Sequence, residues 1–194
     1  DLAVQCGDVV RMARVRSVQL LNLAASTEQV MMRSATYEQD FAEAKRVGDI
    51  YSQALRSLAL GRWLAGSGRQ LYSPINPAES LPHLALSHLD QAMVGLDQLG
   101  MDPWLLYGLL QKIKLFADLQ QFDEAQAGID RVLASLDRFH ILASHAYEVI
   151  GQILFMQGNP AASAAFREAR AAAVENGLPG HAATLDWYLE HLTE

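Results

Sequence analysis

Histidines are the side chains of this sequence with the clearest capacity for metal or acid–base chemistry, but their spacing does not favour a metal site. Four of the six form two pairs, His83 with His88 and His140 with His145. Residues five apart on a helix point about 140° away from each other. Zinc bound on one helix instead takes ligands one turn apart, together with a further ligand. We therefore expect no metal-binding residues and interpret the histidines as surface or partly buried structural side chains.

No other constellation indicates catalysis or a cofactor. The glycine-rich stretch 61–68 lacks the lysine of a phosphate-binding loop and follows no predicted strand. Ser67 does not stand in the Gly-x-Ser-x-Gly pattern of a nucleophile elbow. Nothing pairs Asp123, Glu124 or Glu168 across a cleft as acid and base, so they are interpreted as solvated or capping carboxylates. We expect no catalytic residues, no cofactor and no enzymatic activity.

Charge and cysteine content indicate the partners and the compartment. The chain holds 22 acidic and 15 basic residues, a formal charge of −7, which predicts no direct contact with nucleic acid. In the one basic stretch, formed by Arg11, Arg14 and Arg16, a solvated helix face is favoured over a phosphate-binding patch. Cys6 is the only cysteine and cannot form an internal disulfide, and no apolar run approaches the roughly 18 residues of a membrane span. We expect a cytoplasmic protein that does not enter a membrane.

A recurring glycine–aspartate pair divides the chain into helices. Gly7-Asp8, Gly48-Asp49 and the stretch 100–103 each follow one apolar helical pattern and precede another. Glycine closes a helix in the left-handed conformation, and aspartate caps the free N–H groups of the next helix. The predicted helices are roughly 8–25, 27–46, 50–65, 78–99, 103–120, 122–136, 139–157, 160–176 and 181–192. Helices in pairs with a period of about 40 residues predict an all-α solenoid.

Two departures from this regularity are also expected. The long interval between the second and third seams contains an insertion loop at about 66–77. The chain begins without methionine, in what resembles the last turns of a helix, so we expect a fragment of a larger protein.

The chain resembles the tetratricopeptide repeat in several stretches. In the clearest match, the repeat's large aromatic, leucine, glycine, tyrosine and turn glycine correspond to Tyr147, Ile150, Gly151, Leu154 and Gly158. Ala162, Phe166 and Ala169 match the second helix of that repeat; the turn 121–125 and the stretch 60–68 are partial matches. The resemblance implies one domain, residues 1–194, with about four to five stacked antiparallel helix pairs in a right-handed superhelix. The period resembles the helical repeats of bacterial MalT/LuxR-type signalling regulators, which receive an inducer or a partner protein and control an output domain.

The resemblance also implies where a partner would bind. In a tetratricopeptide array the first helix of each pair lines the concave face. Ten residues map to that face: Arg14, Ser17, Arg62, Tyr107, Leu110, Lys114, His145, Glu148, Gln152 and Phe155. Cations, an acid and aromatic rings together suit a peptide or a protein helix. We expect a non-catalytic protein- or peptide-binding module; the alternatives are a sensor of a small-molecule or peptide inducer and a self-associating scaffold that forms homo-oligomers.

Overall fold

The computed structural model describes residues 9–21, 38–67 and 80–191. Every regular element within these ranges is a helix, so the all-α prediction is confirmed. The α-helices are α1 (Val9–Leu21), α2 (Glu38–Arg46), α3 (Ile50–Ser67), α4 (Ser80–Gln98), α5 (Asp102–Asp118), α6 (Phe122–Leu133), α7 (Ala143–Met156), α8 (Ala162–Glu175) and α9 (Pro179–His191). A short 3₁₀ helix, His140–Leu142, precedes α7.

The helices correspond to the nine predicted ones, and each end that the structure describes lies within four residues of its predicted position. Glycines close the helices as expected, because Gly48, Gly100, Gly158 and Gly177 have φ between 63° and 75°. Gly7 and most of the expected insertion at 66–77 lie outside the described residues. The first two residues of that stretch form the end of α3.

The chain divides into two compact units, residues 1–111 and 112–194, with the boundary inside α5. In the first unit α3 packs antiparallel to α4, since Gly61 faces Leu89 and Ala54 faces Gly95. A β-carbon on Gly61 would lie 2.7 Å from Cγ of Leu89, so this close approach requires glycine. A small residue on one helix here admits a large one from its partner.

The first unit's α1 runs parallel to α3. Arg14 on α1 bonds Asp49 at the start of α3, and Ser17 bonds Ser52 one turn further along both helices. This arrangement brings α1 and α3 residues onto one surface.

The second unit repeats this internal arrangement. Gly151 on α7 contacts Phe166 on α8, whose ring stacks on Tyr188 of α9 with centroids 5.0 Å apart. The apolar core between α8 and α9 consists mainly of alanines with two large side chains: Ala162, Phe166, Ala169, Ala173, Ala182 and Leu185. Ser144 and Gln152 of α7 bond His181 and Tyr188 of α9 in the same order, so these two helices also run parallel.

Candidate functional site

The candidate site in the first unit begins with a buried carboxylate at the junction of α1 and α3. Asp49 precedes α3 and accepts the backbone N–H of Ser52, as predicted for a capping aspartate. It also accepts hydrogen bonds from Nε and Nη2 of Arg14, with Nη2 2.7 Å from Oδ1. The side chain of Asp49 is 5% exposed, whereas that of Arg14 is 52% exposed. The aspartate therefore holds one edge of a guanidinium whose side chain is about half exposed.

The protonation equilibrium of Asp49 depends on these contacts. Burial alone would raise the pKa of the carboxyl, but the hydrogen bonds from Arg14 and Ser52, with the charge of Arg14, outweigh burial. The pKa consequently lies below its usual value of 3.8, so Asp49 is ionised at neutral pH.

A surface cavity of about 480 Å³ lies beside this ion pair. We call it the α1–α3 groove and define it by its lining residues, Arg14, Val15, Val18, Gln19 and Tyr51. The guanidinium of Arg14 lies 5.5 Å from the centroid of the Tyr51 ring, within the range of a cation–π contact. Two valines and the tyrosine ring supply apolar walls, and Arg14 supplies oriented N–H donors.

A second cation–aromatic contact joins two more of the predicted residues. The guanidinium of Arg62 on α3 lies 5.8 Å from the ring centroid of Tyr107 on α5. Arg62 is exposed and Tyr107 is partly buried. Arg14, Arg62 and Tyr107 thus lie on α1, α3 and α5, and each is accessible at least in part.

Two predicted residues of the first unit cannot line an open surface. Ser17 is fully buried, and its hydroxyl lies 2.7 Å from the carbonyl oxygen of Ala13 and 3.1 Å from that of Ser52. Leu110 is 2% exposed and belongs to the core. The prediction was wrong for both residues, because the repeat offset identifies the helix but not how far the neighbouring helix covers its face.

In the second unit, three predicted residues lie at the contact between α7 and α9. Glu148 accepts a hydrogen bond from Nε2 of Gln152, which also lies 3.3 Å from the Tyr188 hydroxyl. Oε2 of Glu148 lies 3.0 Å from Nε2 of His181. The His145 ring stands 4.4 Å from the His181 ring, measured between centroids. These side chains join two helices and are half-buried between them.

The same contact includes a serine, a histidine and a carboxylate in series. The Ser144 hydroxyl lies 2.6 Å from Nδ1 of His181, whose Nε2 faces Glu148. A neutral His181 with its proton on Nε2 accepts from Ser144 and donates to Glu148. Ser144 is fully buried, so a substrate cannot reach its oxygen in this conformation. The arrangement can satisfy one buried and two partly buried polar groups and fix the register of α9 on α7.

The last two predicted residues stand apart from this contact. Lys114 is half-buried on the part of α5 that belongs to the second unit. Phe155, in the last turn of α7, is 58% exposed and lines a cavity of about 250 Å³ at the turn into α8. Among residues 9–21, 38–67 and 80–191, no group of three or more histidine, cysteine or acidic side chains is placed to hold a metal ion.

Sequence reasoning did not identify Tyr51 or His181 as partners of predicted residues. The signal that could have found them is the offset between parallel first helices. Arg14 and Asp49 are 35 residues apart, and Ser144 and His181 are 37 apart. Residues at this offset are neighbours on α1 and α3 and on α7 and α9, whereas the histidines had been compared only within single helices.

Comparison of the chain with protein families, curated protein sequences and solved structures finds no match. None of the helices in the described ranges combines the length and apolar character needed to cross a lipid bilayer.

Proposed function

We propose that this chain is a non-catalytic protein- and peptide-binding module of a bacterial signalling or transcription-regulatory protein. Its helix pairs stack as a tetratricopeptide-like α-solenoid, and the first helices present the binding surface. The observation that carries the proposal is the α1–α3 groove. Its combination of apolar walls, an aromatic ring and an oriented guanidinium is typical of residues that dominate binding at protein interfaces.

The arrangement of the groove favours a peptide segment as the ligand. Its walls come from two parallel helices, so an extended or helical segment can lie along them. Arg62 on α3 and Tyr107 on α5 offer a further cation and aromatic ring within the same unit. A ligand longer than one side chain can therefore contact several first helices.

A second candidate function, the sensing of a small-molecule inducer, has one observation in its favour. The α1–α3 groove encloses about 480 Å³, a volume that small-molecule pockets also have, roughly 300–1,000 Å³, although the groove is open to solvent along most of its length. An inducer that fills it would raise the unfolding temperature of the isolated chain in proportion to its concentration. The five lining side chains belong to two helices only, so they cannot surround a small molecule on all sides. This favours the peptide as the ligand.

Selection from a random-peptide library tests the proposed function. We expect selected peptides to bind the wild-type chain and to bind Val18→Gln more weakly by about fivefold or more, because an apolar wall is lost. The matched control is Val94→Gln, an exposed valine on α4 of the same unit, which should leave binding unchanged. A library that yields no binder, or binders indifferent to Val18→Gln, would contradict the proposal.

A further inference from the structure

We propose that Asn176 is a deamidation site, which the folded C-terminal end of α8 keeps from reacting. This modification is independent of the proposed peptide-binding surface. The residue after Asn176, the conformation at the end of α8 and the hydrogen bonds that hold this end together determine when it reacts.

The reaction depends on the residue that follows the asparagine. The backbone nitrogen of Gly177 attacks Cγ of Asn176; the N–Cγ bond forms, the Cγ–Nδ2 bond breaks, and the proton of the attacking nitrogen leaves with ammonia. Water then opens the cyclic imide at either carbonyl carbon and leaves aspartate or isoaspartate. Glycine carries no β-carbon that would obstruct the attacking nitrogen. The other three asparagines of the chain precede leucine or proline, and no imide can form before proline, whose nitrogen has no proton to lose.

The folded chain holds the attacking nitrogen away from its target. Asn176 ends α8 with φ −83° and ψ 5°, so the Gly177 nitrogen nearly eclipses the backbone nitrogen of Asn176 about the Cα–C bond. Closure of the imide instead requires the Gly177 nitrogen to eclipse Cβ, and ψ of Asn176 must therefore change. Gly177 itself has φ 67°, the left-handed conformation that closes the helix.

Two backbone hydrogen bonds keep this conformation in place. The N–H of Gly177 donates to the carbonyl oxygen of Val174 at 3.1 Å, and that of Leu178 donates to the carbonyl oxygen of Ala173 at 2.8 Å. These two bonds form the Schellman motif of a helix end, which a hydrophobic contact of the second residue beyond the helix commonly accompanies. Leu178 supplies that contact, since it packs against the core between α8 and α9. Deamidation in the folded chain therefore requires this end of α8 to open first.

Conversion of Asn176 removes a contact between two parts of the second unit. Its Nδ2 donates to the carbonyl oxygen of His140 at 3.3 Å, which joins the end of α8 to the 3₁₀ helix before α7. Aspartate has no amide donor, and its carboxylate would face that carbonyl oxygen. The negative charge would also lie at the C-terminus of α8, where the helix dipole disfavours it. The modified end of α8 is therefore held less firmly than the unmodified one.

Mass spectrometry of the full chain tests the inference. The chain is incubated at mildly alkaline pH, either folded or in urea, and the replacement of NH2 by OH at Asn176 is followed in proteolytic fragments. We expect conversion in both samples, at least about tenfold more slowly in the folded one, because the end of α8 must open before it reacts. Asn159, which precedes Pro160, is the internal control and should remain an amide.

Variants at Leu178 test whether the helix end provides the protection. Leu178→Ser removes the hydrophobic contact of the motif and should speed conversion in the folded chain by about threefold or more. Leu133→Ser makes the same change at the end of α6, at a leucine that is 39% exposed, and should leave the rate unchanged. Circular dichroism confirms that both variants are folded; should Leu178→Ser unfold, Leu178→Ala replaces it, with faster conversion again expected.

Charge substitutions at the two ends of α8 test the consequence of the modification. Asn176→Asp reproduces one product and should lower the melting temperature by about 2 °C or more. Asn159→Asp places the same charge at the N-terminal end of α8, where Oδ1 of Asn159 accepts the N–H of Ala161. The helix dipole favours a negative charge there, so the melting temperature should not fall.

Four outcomes would overturn the inference. Absence of conversion at Asn176 in urea would exclude the site itself. Equal rates in the folded chain and in urea, or equal rates in the two serine variants, would exclude protection by the end of α8. A melting temperature of Asn176→Asp equal to that of the wild type would exclude the loosening of this helix end.

Discussion

Replacement of Gly61 by alanine tests the close approach of α3 and α4. The added β-carbon would lie 2.7 Å from Cγ and 2.8 Å from Cδ2 of Leu89, and 3.1 Å from its backbone nitrogen. Leu89 is fully buried, so its side chain cannot swing into solvent. The helices must therefore separate or Leu89 must adopt a strained rotamer.

The expected size of the effect follows from two opposing terms. Alanine gains roughly 1 kcal/mol over glycine in a helix interior, and overpacking of a filled core costs about 1–3 kcal/mol. Because the contact involves a backbone atom as well as the side chain, we expect the upper part of that cost. Gly61→Ala should lower the free energy of unfolding by roughly 1–2 kcal/mol.

The measurement is urea denaturation followed by far-ultraviolet circular dichroism, with Gly108→Ala as the matched control. A β-carbon on Gly108 would meet Cδ1 of Leu58 at 3.4 Å and Cγ of Met93 at 3.5 Å, which are ordinary van der Waals contacts. Gly108→Ala should therefore be neutral or stabilising by up to about 1 kcal/mol. If Gly61→Ala proved as stable as Gly108→Ala, the proposed close packing of α3 on α4 would be refuted.

Three further variants test the polar and close-packed contacts. Asp49→Asn should lower the free energy of unfolding by roughly 1–3 kcal/mol at pH 7. Because the native pKa of Asp49 is lowered, the difference in stability between wild type and variant should shrink below pH 3.8, as measured by urea titrations. A difference that stays constant with pH would contradict the ion pair. Burial lowers the pKa of His88, and the charge of Arg56 lowers it further. Native His88 therefore resists protonation, and the wild type should lose stability as pH falls below 6.5. His88→Leu should reduce that loss in melts at pH 7 and pH 5, and an unchanged pH dependence of stability would count against a desolvated, neutral His88. Gly151→Ala should destabilise the chain, because its β-carbon would contact the Phe166 ring at 3.0 Å. In a double-mutant cycle, Phe166→Leu should reduce this loss of stability. Additive losses in the cycle would exclude the contact.

The fold was predictable from the sequence where the pattern that determines it involves only neighbouring residues. Glycines that need positive φ and apolar residues at helical spacing depend only on nearby residues, and Gly48, Gly100, Gly158 and Gly177 each close a helix. Gly151 matched the glycine position of the repeat, and the ring of Phe166 occupies the space that its missing side chain leaves. These local rules identified every helix in the described ranges.

The candidate site was predictable only in part, because it depends on contacts between helices. Arg14 was placed on a first helix by its offset, but its orientation depends on Asp49, which the sequence indicated only as a cap. Ser17 stands three residues from Arg14 and yet is fully buried, because Ser52 of α3 covers it. Helical spacing predicts which residues share a face, and the packing of the next helix decides which of them remain exposed.

Site-specific photo-crosslinking tests the central claim, that the α1–α3 groove is the peptide-binding surface, most directly. Benzoylphenylalanine replaces Val15 in one variant and Val174 in another, and each is irradiated with the peptides that the library selection returns. We expect crosslinked peptide at position 15 and none above background at position 174. Crosslinking at position 174 alone, or equally at both positions, would contradict it.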